Sequence, residues 1–233
     1  MDVWGWGLGR RKDAPDSHDY SLTRILTLVP VLPSSYTAPS YPILDQGMTP
    51  RCVAYSGSLT RIIEERKDER RTISFDSDDL YRRCKAVDGY PNEDGTDIRT
   101  ACKVLMADGA LITKSRKTSE VGSRRKIAAY ARLSSIDDIK QAIFAYRSAW
   151  LGSTWYNSWF NASVSTGILP TPDSPVGGHA YTAIGWSDKR QAFRCQNSWG
   201  PEWCQRGRFW LPYKFVDFTD FDAWRTVDVL GDT

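Results

Sequence analysis

Asp45-Gln46-Gly47-Met48-Thr49-Pro50-Arg51-Cys52-Val53-Ala54-Tyr55-Ser56 reads as a turn that runs into a helix. Pro50 has no backbone N–H, so a helix can start beside it but not run through it. Beyond it, Ala54, Tyr55, Leu59, Ile62 and Ile63 recur at three- and four-residue steps. That spacing predicts a helix over 52–68, with Arg61, Glu64 and Glu65 on its far, polar face. Cys52 then stands near a helix N-terminus, where unpaired N–H groups and a partial positive charge favour a thiolate. Taken alone, it reads equally well as a small buried hydrophobe.

Working outward, 77–85 patterns as a second short helix, and 89–95 as a loop. Thr96 is expected to cap a third helix that ends at Gly109. The basic stretch 114–125 is the expected lobe boundary. Ser135 with Asp138 three residues on predicts a helix start for 136–146. Then the character changes. The runs 150–159, 180–186, 191–196 and 208–211 are short, aromatic and β-branched, separated by Gly, Pro and Asp, and read as strands. Helices first and strands later imply an α+β architecture of two lobes. Residues 1–42 are rich in Gly, Pro, Ser and Tyr and read as an extended arm packed on the body, with one apolar stretch at 25–31.

Composition removes several classes. The 233 residues are 41% hydrophobic and 25% charged, ordinary for a globular protein, and the net charge is only +3. Lys and Arg are interleaved with Asp and Glu, so no nucleic-acid partner is expected. The basic cluster at 114–117 and 124–126 reads as a solvated surface. No apolar run reaches the roughly 20 residues of a membrane span. The start of the chain lacks a basic segment followed by an apolar one, so no signal peptide is read and cytoplasmic synthesis is expected. Five cysteines, none in CxxC spacing, and two histidines make a disulfide framework or a metal site unexpected. A Cys195–Cys204 bridge is conceivable. Cys84 and Cys102 read as core.

With two histidines the search for a general base is short, and His18 lies in the arm. His179 is delivered by Gly177-Gly178 to the mouth of an apolar strand, where it can face a cleft; alone it reads as a structural histidine. Asn197 closes a strand in Cys195-Gln196-Asn197-Ser198-Trp199-Gly200. Its amide oxygen can fix an imidazole, and Trp199 can shield that bond. Alone, that string is a turn.

Together the three segments resemble the papain-like cysteine peptidases. Asp45-Gln46-Gly47 with Cys52-x-Ala54-Tyr55-Ser56 resembles the family's nucleophile segment, Gly178-His179-Ala180 its histidine segment, and Asn197-Ser198-Trp199-Gly200-x-x-Trp203-x-x-x-Gly207 its asparagine segment. The order matches, and His and Asn follow Cys52 at 127 and 145 residues, near the family's separation. Glu93-Asp94-Gly95-Thr96-Asp97-Ile98-Arg99 and the arm Arg11–Tyr20 look like bacterial and bacteriophage members. The resemblance covers nearly the whole chain.

It implies a two-lobe fold with a helical lobe at 44–115, an arm at 1–43, a β-barrel-like antiparallel lobe at 116–233, and the site in the cleft between lobes. It implies a cysteine peptidase in which Cys52 forms a thioester, His179 is general acid and base, Asn197 orients His179, and Gln46 helps stabilise the oxyanion. Asp94 and Gly95 are expected to form a wall of the substrate groove, Ala180 to line the pocket for the second residue before the scissile bond, and Trp199 to cover the His–Asn contact. No cofactor is implied. A peptide or protein substrate and a monomer are expected. So is a bell-shaped pH–activity profile with limbs from Cys52 and His179.

Two departures stand out. Thr49 and Val53 replace the family's usual cysteine and tryptophan around the nucleophile, and Pro50-Arg51 replaces Gly-Ser. About 44 residues precede Asp45, too few for a long pro-segment, so an enzyme active as made, or restrained by something other than a pro-segment, is expected. The alternatives are a papain-fold binding or structural protein with little turnover, and a phage-type peptidase acting on cell-wall or assembly peptides.

Overall fold

Pro50 does end the turn, and the first helix begins two residues later. The computed structural model describes residues 6–17, 19–22, 31–39, 41–68 and 73–228. His18 and positions 25–30 of the apolar arm stretch lie outside the described residues. Helix α1 spans Cys52–Asp68, α2 Ser77–Lys85, α3 Ile98–Ala107 and α4 Ile136–Tyr146. The α4 start is as expected, with Ser135 Oγ accepting from Asp138 N at 3.0 Å. The cap of α3 is Asp97 rather than Thr96: its Oδ1 accepts from Thr100 N at 2.7 Å, while Thr96 is spent in a strand.

The strands are β1 (Arg10–Arg11), β2 (Ser35–Thr37), β3 (Ile73–Phe75), β4 (Thr96–Asp97), β5 (Ala110–Ser115), β6 (Arg124–Arg125), β7 (Ile127–Arg132), β8 (Ala149–Tyr156), β9 (Pro175–Ser187), β10 (Ala192–Gln196), β11 (Arg208–Pro212) and β12 (Asp222–Asp228). The main sheet runs β11-β10-β9-β8-β12-β7, with β2 on the flank of β9, and all its pairings are antiparallel. It is open: β11 and β7 do not pair, so the expected barrel-like lobe is an unclosed sheet. The stretch 114–125, read as the lobe boundary, holds the end of β5 and all of β6, which join β3 in a small sheet.

Two main apolar cores flank the sheet. One gathers Trp155, Trp159, Trp199, Trp203, Phe193 and Phe209. The other sets Val53, Ile62 and Leu105 against Trp150 and Trp224. Helix α1 lies on β9 and β8. Close approach is possible because a side chain at Gly57 would meet the Trp150 ring at 2.6 Å. Trp150 Nε1 donates to Ser56 Oγ at 2.7 Å and fixes the helix along its axis.

The far face of α1 is not solvated as its charges suggested. Arg61, Glu64 and Glu65 are buried. Glu64 Oε1 accepts from Arg225 Nη1 and from Thr226 Oγ1, each at 2.5 Å. Arg61 pairs with Glu64, with Glu65 at 3.1 Å and with Asp228 at 2.9 Å. Charges absent from the local pattern on β12 neutralise that face. All five cysteines are free thiols, so Cys195 and Cys204 do not bridge, and Cys84 and Cys102 are core as expected.

Candidate active site

The first residue of α1, Cys52, is fully buried beside β9. Its sulfur lies within reach of the backbone N–H groups of Ala180, Gly9 and Val53. Ala180 follows His179 on β9, so the thiol and the imidazole stand on facing elements. His179 Nε2 is 2.7 Å from Asn197 Oδ1. The same oxygen accepts from Ser198 N at 2.8 Å, which fixes the amide. Trp199 stacks on the imidazole with ring centroids 4.4 Å apart, and Trp155 meets it edge-on at 4.9 Å. The other ring nitrogen, Nδ1, is buried with no hydrogen-bond partner among the described residues.

Gln46 is tied to the asparagine loop twice. Its N–H donates to Ser198 O at 2.8 Å, and Ser198 Oγ donates to its side-chain Oε1 at 2.6 Å. That leaves the amide nitrogen directed into the cleft, where it donates to the Gly7 and Thr49 carbonyls at 3.1 and 2.7 Å. Thr49, in the place of the family's cysteine, closes the turn through Oγ1 to Gln46 O at 2.6 Å. Arg51 turns to the surface and pairs with Asp78 at 2.7 Å.

Of the expected substrate-binding residues, Gly95, Ala180 and Trp199 line the cleft. Gly95 has φ +79°, and a Cβ there would come within 2.1 Å of the Gly9 carbonyl oxygen. The Asp94 side chain is exposed at the rim, and only its carbonyl meets the cleft occupant, Arg11 Nη2 at 3.4 Å.

That occupant is the chain's own arm. Gly7 O accepts from Trp199 Nε1 at 3.2 Å and from Gln46. Gly9 N donates to Gly178 O at 3.0 Å, and Gly9 O accepts from Thr96 N at 2.9 Å. β1 then pairs in parallel with β4. Trp6 stacks on Trp199 at 5.7 Å. Side chains at positions 7 and 9 would collide with the Thr49 and Pro50 carbonyls at 2.0 and 2.1 Å, so glycine lets the arm lie flat. The sequence reading packed the arm on the body but did not place it in the cleft. The alternation Gly5, Gly7, Gly9 in Trp4-Gly5-Trp6-Gly7-Leu8-Gly9 was the available signal.

The cover changes the electrostatics. Burial pushes the Cys52 thiol up to about 11, against the pull of the neighbouring N–H groups. Burial also drives His179 down to about 4, with the Asn197 bond opposing. Neutral thiol and neutral imidazole are the favoured forms under the arm. Gly9, whose N–H is taken by Gly178 O, lies beside the thiol, while the carbonyl at the Gln46 amide belongs to Gly7.

Xylellain, a cysteine protease from Xylella fastidiosa, superposes with a TM-score of 0.80 over 98% of this chain and 99% of its own, at 24% identity. The fold is papain-like. The papain-like likeness extends to procathepsin B of Trypanosoma congolense, with a TM-score of 0.76 at 13% identity over 96% of this chain and 87% of that one. It also extends to the bromelain protease of Ananas comosus in complex with E64, with a TM-score of 0.66 at 16% identity over 85% of this chain and 100% of that one. An uncharacterized peptidase C1-like protein of Acanthamoeba polyphaga mimivirus is 28% identical over 201 residues, 74% of this chain. The chain spans 65% of that relative's length. No family model matches. Among the described residues no helix is long and apolar enough to cross a membrane.

Proposed function

We propose that this chain is a cysteine peptidase held latent by its own arm. The observation that carries the reading is the His179–Asn197 bond of 2.7 Å, roofed by Trp199, beside a helix-terminal thiol. With the arm displaced, water and the helix N-terminus favour the Cys52 thiolate and the His179 imidazolium. The sulfur attacks a peptide carbonyl carbon, and the oxyanion is met by the Gln46 amide and the Cys52 backbone N–H. His179 delivers its proton to the leaving nitrogen as the C–N bond breaks, leaving a thioester. A water then loses a proton to His179, attacks the thioester, and the C–S bond breaks to release the acid. Asn197 holds the ring in one tautomer throughout. Every group comes from one chain, which supports action as a monomer on peptide or protein substrates.

The test is digestion of a diverse peptide library by a full-length chain carrying Gly7→Val and Gly9→Val, which the Thr49 and Pro50 carbonyls cannot accommodate. Cleavage is expected, and none with Cys52→Ala added. Equal cleavage by both defeats the proposal.

The buried, neutral thiol favours a second reading, a papain-fold binding module without turnover. A thiol-reactive epoxide separates the two: stoichiometric capture of Cys52 once the arm is displaced supports the enzyme, and no capture supports the module.

A further inference from the structure

The long side chain of Arg10 leaves the cleft floor and enters the body. Its side chain is 2% exposed, and that of its partner Asp222 is fully buried. Nε donates to Asp222 Oδ2 at 2.9 Å, Nη2 reaches the same carboxylate, and Nη2 also donates to Asp220 O at 2.7 Å. The Asp220 carboxylate stands 3.7 Å from Nη1 at the rim. The space exists because two positions carry no side chain. A Cβ at Gly152 would lie 3.1 Å from Arg10 Nε, and one at Gly178 would lie 2.0 Å from Arg10 O. Gly152 pairs with Ala180 on one side and with Asp222 on the other. The hollow is therefore the one whose wall is Ala180, next to Cys52.

Charge in the hollow is unbalanced without Arg10. Arg132 remains, with Nη2 3.3 Å from Asp222 Oδ1, against the carboxylates of Asp220 and Asp222. Asp13, also buried, donates its N–H to Asp222 at 3.0 Å. Burial and the charge of Asp222 push the Asp13 carboxyl up to about 8. An emptied hollow then sets the carboxylates of Asp220 and Asp222 against the single guanidinium of Arg132, and its acceptors match a planar fork of N–H donors better than an ammonium.

We infer that this hollow is the selectivity pocket of the enzyme, that it takes an arginine side chain in the second residue before the scissile bond, and that Arg10 holds the arm in place by imitating that residue. This rests on the peptidase reading above, so the experiment separates the two. The chain carrying Gly7→Val and Gly9→Val is titrated with a fluorescent peptide of residues 6–13 and with the same peptide carrying Arg10→Leu. It is also assayed on substrates that differ only in arginine or leucine at the second position. Expected are binding of the arginine peptide at least about 30-fold tighter than the leucine peptide, and a kcat/KM preference for arginine of similar size. Adding Asp222→Asn should collapse both ratios towards one while the leucine rates persist. Adding Gly152→Val, which fills the hollow and leaves its charges alone, should weaken the arginine peptide if the Asp222 variant does not fold. Equal binding of the two peptides, binding of neither, or a leucine preference overturns the pocket. Binding with the expected ratio but no cleavage of any substrate keeps the pocket and defeats the peptidase.

Discussion

The hydroxyl of Ser198 donates to Oε1 of Gln46 over 2.6 Å, joining the loop that follows Asn197 to the turn that precedes Cys52. One hydrogen bond thus ties the neighbour of Asn197, which holds the imidazole, to the glutamine proposed to meet the oxyanion.

Gln46→Ala, made in the arm-displaced chain, is expected to lower kcat by about 10²–10³-fold with a small change in KM, because the lost donor acts on charge that develops only in the transition state. Ser198→Ala acts through Gln46 and should cost less. Steady-state kinetics on one peptide check both. In a Gln46→Ala background the Ser198 substitution should have no further effect, and an additive loss would show that Ser198 works by another route.

The pH dependence of latency follows from the two buried groups. The folded value of His179, lowered to about 4, means the arm-covered state resists protonation, so its advantage fades as pH falls below the ordinary imidazole range. The folded value of Cys52, raised to about 11, means the same state resists deprotonation, so its advantage fades as pH rises past the ordinary thiol range. Between about pH 6.5 and 8.5 the covered state gains or loses no proton, and protection should be flat. The measurement is the rate of Cys52 alkylation in the native chain divided by the rate in the arm-displaced chain at each pH. The ratio should be lowest on that plateau and rise on both sides. A ratio with one slope across the range would contradict it.

Stability should hinge on charges far from the cleft. Glu64→Gln leaves the guanidinium of Arg225 and part of that of Arg61 without a counter-charge in a fully buried setting. A loss of about 3–5 kcal/mol is expected in denaturant unfolding. A loss below about 1 kcal/mol would mean water reaches the cluster.

The helices were legible because each carries its own instruction: Pro50 before α1, Ser135 with Asp138 at α4, the apolar steps of α1. The three separated site segments were legible as motifs, and the fold brings all of them to one cleft. Other features were not local. Nothing around Arg61 or Glu64 says that Arg225 and Thr226 will face them, so α1 looked half solvated. β7 and β12 pair across about 90 residues, and Arg132 and Trp224 at their contact gave no period-2 signal strong enough to read. The arm was read as packed on the body, but where it packs was not local information: the Thr49 and Pro50 carbonyls that Gly7 and Gly9 lie against are about 40 residues away.

The central claim is that Cys52 is the nucleophile of a latent peptidase. Its most direct test is the intact mass and peptide map of the chain carrying Gly7→Val and Gly9→Val after exposure to a peptidyl epoxide, alongside its residual cleavage rate. The account predicts one adduct, on Cys52, with peptide cleavage lost in proportion to its formation. Adducts shared among Cys84, Cys102, Cys195 and Cys204, or cleavage that persists after Cys52 is fully modified, would contradict it.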